Sequence, residues 1–129
     1  MKLRLSLWLP LLLVVVASPS VAEDSPLRPV VVTVDDLPVV GGGTAEERAA
    51  ITDGLLGHLE RHGIQAVGLV TWQNVRDEVG RELLVRWIAA GHVLGNHSYA
   101  HPSYSRTPFE AYRDVMERAR VEIQAIAMQ

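Results

Sequence analysis

The feature that most constrains the fold is an unbroken run of β-branched residues at 30–34, Val-Val-Val-Thr-Val. Such a run is typical of a strand that is buried on both faces, as the strands of a parallel sheet are. The acidic pair Asp35-Asp36 follows it directly, and three glycines at 41–43 indicate a flexible loop. Because parallel strands need long crossover connections, the run predicts that helices alternate with strands along the chain.

Helix and strand patterns do alternate after this run. Thr44 and Glu47 form a capping-box pattern that predicts the start of a first helix, which would end at Gly63. Two further strands are predicted at 64–70 and 92–95. The predicted inward face of the first helix consists of Ile51, Leu55, Leu56 and Leu59.

Two more helices complete the pattern. One is predicted at 81–90, and the other begins where Thr107 would be the N-cap and Pro108 the first helical residue. The apolar stripe predicted for this last helix consists of Phe109, Tyr112, Met116, Ala119, Ile123 and Ile126. The alternating order predicts an α/β fold with about three right-handed β/α units.

The N-terminal residues predict export. Lys2 and Arg4 precede a short apolar run, and small residues end at Ala22, which is the order of a secretory signal peptide at 1–22. A membrane anchor that stays attached is the alternative. Cleavage would leave a domain at 23–129 that is periplasmic or secreted and has no membrane contact.

Composition excludes several classes of function. Removal of the signal leaves 10 basic residues, all arginine, against 15 acidic ones, a net charge of −5 with neutral histidines. A domain of this charge with no basic run is a poor candidate for binding nucleic acid or an anionic membrane. The chain has no cysteine, which excludes disulfides and thiolate zinc sites. Any metal must therefore be held by histidines and carboxylates.

Candidate ligands follow the first and third predicted strands. Asp35 and Asp36 come at the end of the first strand, and His97 and His101 come shortly after the third. Because α/β proteins bind ligands at the carboxyl ends of their strands, these side chains are expected at one edge of the sheet. The four-residue spacing of the histidines predicts that they share one face of a helical turn. Two imidazoles and one carboxylate leave open positions on zinc, while the other carboxylate stays free as a base.

Each part of this pattern has a simpler interpretation when it occurs alone. Adjacent aspartates are more often a solvated turn, and a His-x-x-x-His pair also occurs on exposed helix surfaces. His58 and His62 have the same spacing but no carboxylate motif, so they are interpreted as exposed helix-end residues, and His92 as structural. Tyr99 and Tyr104 fit either packing or substrate contact. Three aromatic residues are interpreted as packing residues: Trp72, Trp87 and Tyr112.

Two segments of the chain resemble motifs of a known family. Residues 33–38, Thr-Val-Asp-Asp-Leu-Pro, resemble the T-F-D-D-G-P motif of the polysaccharide deacetylases, the NodB-homology carbohydrate esterases. Residues 91–102, Gly-His-Val-Leu-Gly-Asn-His-Ser-Tyr-Ala-His-Pro, resemble the family's longer and more specific second motif. The resemblance implies a deacetylase domain at 23–129 that forms a partial (β/α) barrel. Val34 and Leu37 depart from the first motif, but neither would supply a ligand.

The resemblance also implies a division of roles. Asp35 would be the general base, and the metal ligands, most often for zinc, would be Asp36, His97 and His101. The implied reaction is hydrolytic removal of acetyl groups from an acetylated polysaccharide or oligosaccharide. Both N- and O-deacetylation stay open. Peptidoglycan, chitin oligomers, acetylxylan and other N-acetylglucosamine polymers all stay open as substrates, and the oligomeric state is not predicted.

Family members carry later motifs that this sequence does not contain, including an arginine loop that orients the base and a late histidine that acts as general acid. About three β/α units cannot close a barrel, and they leave an unpaired strand edge. We therefore expect the N-terminal part of a larger enzyme, with the domain incomplete at its C-terminus. The alternative is a truncated, inactive fragment that binds metal or carbohydrate. A different α/β metallohydrolase is a third hypothesis.

Overall fold

The computed structural model describes residues 28–128, and the predicted signal peptide at 1–22 lies outside this range. Within the range, three strands alternate with three helices. The α/β prediction is therefore confirmed. No helix among these residues is long and apolar enough to cross a bilayer. The elements are β1 (Val32–Leu37), α1 (Ala45–Arg61), β2 (Ala66–Val70), α2 (Glu78–Ala89), β3 (Val93–Asn96) and α3 (Phe109–Ala127).

The three strands form one parallel sheet in the order β1-β2-β3. At the centre, Gly68 of β2 pairs with Val34 of β1 and with Leu94 of β3. Because all strands run in the same direction, their carboxyl ends lie at one edge of the sheet, called here the carboxyl edge. A short 3-10 turn at Trp72–Asn74 follows β2, and a second one at Tyr104–Arg106 precedes α3.

One hydrophobic core joins the sheet to all three helices. Trp87 of α2 is almost fully buried, and its indole Nε1 donates a hydrogen bond of 3.3 Å to the carbonyl of Val93. Gly68 allows this close approach, because a Cβ atom there would lie 2.8 Å from the Trp87 ring and would overlap Leu37. Trp72 is buried as well, so the interpretation of both tryptophans as packing residues is confirmed.

The inward face of α1 differs from the predicted one. The capping box is confirmed, since the Thr44 hydroxyl accepts from the backbone N–H of Glu47 and the Glu47 carboxylate accepts from that of Thr44. Ile51, however, is 56% exposed. The buried residues of the helix are Arg48, Thr52 and Leu59. The buried face of α1 is therefore the one that contains Arg48, Thr52 and Leu59. Ile51 lies about 100° away from Thr52 around the helix axis, which places it outside this face.

The start of α3 is also corrected. The helix begins at Phe109 with Pro108 as N-cap, one residue later than predicted. Thr107 has an extended backbone, and its hydroxyl donates a 2.8 Å hydrogen bond to the carbonyl of Ser103, so it does not cap the helix. Phe109 is 65% exposed. The predicted stripe is buried from its middle onward, at Ala119, Ile123 and Ile126.

Candidate metal centre

Asp36, His97 and His101 meet at the carboxyl edge. Their potential donor atoms all lie within 4.8 Å of one another, and no other such group of three histidine or acidic residues occurs within 28–128. The two imidazole Nε2 atoms are 3.0 Å apart. Two nitrogens that bind a tetrahedral zinc at 2.0–2.1 Å lie about 3.3 Å apart. The spacing and chemistry of this donor set therefore fit a divalent ion.

Asp36 is positioned by two residues that follow β2, the strand next to its own. It lies where the pairing of β1 with β2 becomes irregular, and its backbone has a left-handed conformation with φ 63°. The Thr71 hydroxyl, just after β2, donates a 2.7 Å hydrogen bond to Oδ1 of Asp36. The side-chain amide of Asn74 donates a 3.1 Å hydrogen bond to the Asp36 carbonyl. These two hydrogen bonds hold Asp36 in place, with a carboxylate oxygen within 4.8 Å of the donor atoms of both histidines.

The two histidines lie on a loop rather than on the predicted helical turn. His97 donates its backbone N–H to the carbonyl of Val70 at 3.0 Å, as if extending β3 by one residue. Ser98 and His101 then adopt left-handed conformations, with φ 77° and 51°. A helix is disfavoured here, because Pro102 restricts the backbone of the residue before it. The left-handed residues bend the loop so that the two imidazoles converge.

Hydrogen bonds inside the loop hold this shape. Ser98 is buried, and its hydroxyl accepts the backbone N–H of His101 at 2.8 Å. The backbone N–H of Ser98 donates to the side-chain carbonyl of Asn96 at 2.8 Å. The amide group of Asn96 in turn donates to the carbonyl of Met116 on α3 at 2.8 Å. The position of His101 is therefore coupled to α3.

Some supporting residues were not identified from the sequence. Thr71 and Asn74 carry no ligand chemistry of their own, and they belong to no recognised motif. The available signal was their position directly after β2, which places them at the carboxyl edge with the candidate ligands. Tyr99, which fitted either packing or substrate contact, packs against the hydrophobic core, and the Arg118 guanidinium lies 3.6 Å from its ring centroid and donates to its hydroxyl at 2.8 Å.

The other singled-out residues are not members of the three-residue cluster. Asp35 is adjacent to Asp36 but exposed, and it is not one of the three clustered residues. His58 and His62 are exposed at the end of α1, as predicted. His92 is buried, and its Nδ1 accepts the backbone N–H of Ala66 at 3.3 Å, which confirms a structural role.

The parallel sheet and the Asp-His-His cluster at its carboxyl edge place the chain among α/β proteins with a candidate metal site. The family model described as polysaccharide deacetylase matches residues 22–129 of the chain. The chain therefore belongs to the polysaccharide deacetylase family. A search of curated proteins finds no match.

Solved structures with the same fold support this assignment. One is the Xyl-CE4 domain of a multidomain xylanase from the hindgut metagenome of Trinervitermes trinervoides, with 26% identity and a TM-score of 0.57 over 74% of this chain and 41% of that one. Another is a family 4 carbohydrate esterase from Bacillus anthracis, with 25% identity and a TM-score of 0.59 over 77% of this chain and 42% of that one.

A third similar structure is a chitin deacetylase from the fungal pathogen Colletotrichum lindemuthianum, with 25% identity and a TM-score of 0.55 over 74% of this chain and 39% of that one. The chain thus spans about two fifths of the length of these structures. The prediction of a partial (β/α) barrel with about three β/α units is confirmed.

Proposed function

We propose that the chain contains the metal-binding part of a hydrolase that removes acetyl groups from an acetylated polysaccharide. The observation that carries the proposal is the convergence of Asp36, His97 and His101 at the carboxyl edge, next to the exposed Asp35. Membership of the polysaccharide deacetylase family supports the reaction class. We also propose that the protein is exported, because polymeric substrates of this kind lie outside the cell membrane.

The three clustered residues would hold the ion, with zinc as the expected metal. Two imidazoles and one carboxylate are the ligand set of catalytic sites that keep a position open. When bound, such an ion acidifies a water molecule towards neutral pKa and polarises an acyl oxygen. The chain itself contributes orientation, because Thr71 and Ser98 hold Asp36 and His101 through the hydrogen bonds described above.

Asp35 is proposed as the general base. Asp35 is exposed and directly precedes the candidate ligand Asp36 in the chain, which supports this role. It would accept a proton as the water oxygen attacks the acetyl carbonyl. The bond from the carbonyl carbon to the sugar nitrogen or oxygen would then break as the leaving atom takes up the proton, which yields acetate and a free amine or hydroxyl.

Zinc titration by calorimetry tests the ligand set. The full chain is expected to bind one zinc ion, and Asp36→Asn is expected to weaken this binding by about 100-fold, because a charged ligand is lost. Asp53→Asn is the matched control, since Asp53 is an exposed aspartate on α1 that pairs with Arg86. Equal zinc affinity of the Asp36 variant and the wild-type chain would remove Asp36 from the site.

Acetate release tests the reaction. Relatives include a domain of a xylanase and a chitin deacetylase, so acetylated xylan and chitin oligomers are the substrates to assay with zinc present. Asp35→Asn is expected to reduce release by at least about 100-fold while zinc affinity is unchanged. Because the chain spans about two fifths of those structures, binding of metal or carbohydrate without hydrolysis is the second candidate. Zinc binding with no acetate release from either substrate would favour it.

A further inference from the structure

A cavity of about 530 Å³ opens directly beside the candidate metal centre. Its walls include both candidate histidine ligands, His97 and His101, together with Tyr104, Arg106 and Tyr112. Its volume lies within the range of small-molecule sites. If an acetyl group of a saccharide lies at the centre, as the proposed function requires, a neighbouring sugar unit of the same chain can occupy this cavity.

One wall of the cavity is an aromatic pair. The rings of Tyr104 and Tyr112 meet edge to face, with centroids 5.0 Å apart and an interplanar angle of 84°. Tyr112 is half-buried on α3, whereas Tyr104 is 68% exposed. An exposed aromatic face that a second ring holds in place presents negative π-density to the C–H groups of a sugar ring at little cost in side-chain entropy.

Arg106 provides a cation in the same turn. Among residues 28–128, no carboxylate lies within ion-pair distance of its guanidinium. Four of the other described arginines are paired with carboxylates: Arg48 with Asp77, Arg86 with Asp53, Arg113 with Glu110 and Asp114, and Arg120 with Glu117. The Arg106 guanidinium is thus available to a ligand, and its planar fork matches the two oxygens of a carboxylate.

The backbone keeps Tyr104 and Arg106 close to the histidines. The turn that carries them is closed by hydrogen bonds from the Arg106 N–H to the Ser103 carbonyl at 3.1 Å and from the Thr107 hydroxyl to the same carbonyl at 2.8 Å. Only Pro102 and Ser103 separate this turn from His101. The turn therefore places the backbone of Tyr104 and Arg106 close to the candidate ligands.

We propose that this cavity is a subsite for a sugar unit that carries a carboxylate, next to the acetylated unit. In this subsite, Tyr104 stacks on the sugar ring and Arg106 pairs with the carboxylate. The carboxylate belongs to a uronic acid or to a lactyl ether, two sources with the same chemistry. The inference rests on the proposed function for the position of the acetyl group, and it adds an acidic polymer as the substrate class.

Calorimetry with matched oligosaccharides tests the proposal. The probes are acetylated oligosaccharides that contain a uronic acid or a lactyl ether, each compared with its carboxyl-reduced analogue. Titrations of the full chain without added metal exclude hydrolysis. At least one acidic probe is expected to bind about tenfold more tightly than its reduced analogue, and this preference should decrease as salt is added.

Variants separate the two contacts. Arg106→Gln is expected to abolish the preference for the acidic probe, Arg106→Lys to retain part of it, and Arg113→Gln, which removes an exposed arginine outside the cavity, to leave it intact. Tyr104→Ala is expected to weaken the binding of the acidic probe and of its reduced analogue by the same factor. Phe109→Ala removes another exposed aromatic side chain and should leave the binding of both probes unchanged.

Three results would overturn the subsite: no binding of any probe, equal binding of acidic and reduced probes, or a preference that survives Arg106→Gln. Failure of the proposed function is distinguishable, because it would appear as loss of acetate release or of zinc binding. If only the proposed function failed, the preference for the acidic probe and its dependence on Arg106 would remain.

Discussion

At the scale of single residues, the candidate metal centre depends on side chains that would not bind the ion. Thr71 and Ser98 are both buried, and each uses its hydroxyl to restrain one candidate ligand. Outer hydrogen bonds of this kind fix the orientation of a ligand before the ion arrives, so less conformational freedom is lost on binding. The contribution of these residues should therefore appear in metal affinity.

Replacement of threonine by valine at two buried sites tests this role. Thr71→Val removes the donor to Asp36, and we expect zinc affinity to fall by about 10- to 100-fold in calorimetry. Thr52 is equally buried, but its hydroxyl has no hydrogen-bond partner among the described residues. Thr52→Val should leave zinc affinity unchanged and raise the free energy of unfolding by about 1 kcal/mol.

Thr71→Ser serves as a second control, because it keeps the hydroxyl and should retain most of the zinc affinity. Wild-type affinity in Thr71→Val would show that the hydrogen bond to Asp36 does not organise the site. If Thr52→Val also lost zinc affinity, the loss in Thr71→Val would not be specific to the hydrogen bond with Asp36.

At the scale of elements, α1 and α2 are joined by a buried arginine. Arg48 of α1 is buried, and its Nη2 donates a 2.7 Å hydrogen bond to Asp77, the N-cap of α2. Asp77 also accepts the backbone N–H of Gly80 at 3.0 Å. The guanidinium of Arg48, followed by the Gly80 N–H, lowers the pKa of the Asp77 carboxyl below its usual 3.8.

The lowered pKa predicts how this contact responds to acid. A carboxyl whose pKa is lower in the folded state adds stability above its unfolded pKa of 3.8, and this stability is lost as the pH falls through the folded value. Asp77→Asn keeps a cap acceptor but removes the charge. We therefore expect it to lower the urea midpoint at pH 7, and the difference from wild type to shrink below pH 3.8.

Arg48→Met is the companion variant. Two of the arginine nitrogens, Nε and Nη1, are buried without a partner among the described residues, so methionine removes a buried charge together with its unmet hydrogen bonds. Arg48→Met should therefore destabilise the protein less than Asp77→Asn does. The asparagine variant leaves the positive charge of Arg48 buried without a carboxylate partner. The opposite order of urea midpoints would contradict the assignment of Arg48 as a buried charge that depends on Asp77.

At the scale of the whole molecule, glycines show where the sheet and helices approach most closely. Gly68→Ala should lower the free energy of unfolding by about 2 kcal/mol, because the new Cβ atom overlaps Leu37 and Trp87. Gly54→Ala should raise it by about 1 kcal/mol, since Gly54 lies exposed inside α1 with open space at its Cβ position. Chemical denaturation of both variants measures the difference.

Both variants carry the same chemical change, so only their surroundings differ. Equal shifts of the unfolding free energy, or a stabilised Gly68 variant, would mean that Trp87 does not pack against the backbone of β2 as described. A destabilised Gly54 variant would contradict the exposed helical position of that residue.

The sequence by itself determined the α/β class, the order of the elements and the identity of the candidate ligands. Local patterns carry this information, because a β-branched run or a capping box depends on residues that are near one another in the chain. The convergence of Asp36 with His97 also followed from local patterns, since the carboxyl ends of parallel strands share an edge. The roles of Asp35 and of the three ligands stay predictions.

Only the tertiary structure decided which residues support these features. The exposure of Ile51 and the burial of Arg48 depend on how α1 packs against its neighbours, and its own periodicity does not contain that information. The contact of Thr71 with Asp36 joins the residue after β2 to β1. The same holds for the loop that aligns His97 with His101, because its shape depends on hydrogen bonds to β2 and α3, which exist only after the chain has folded.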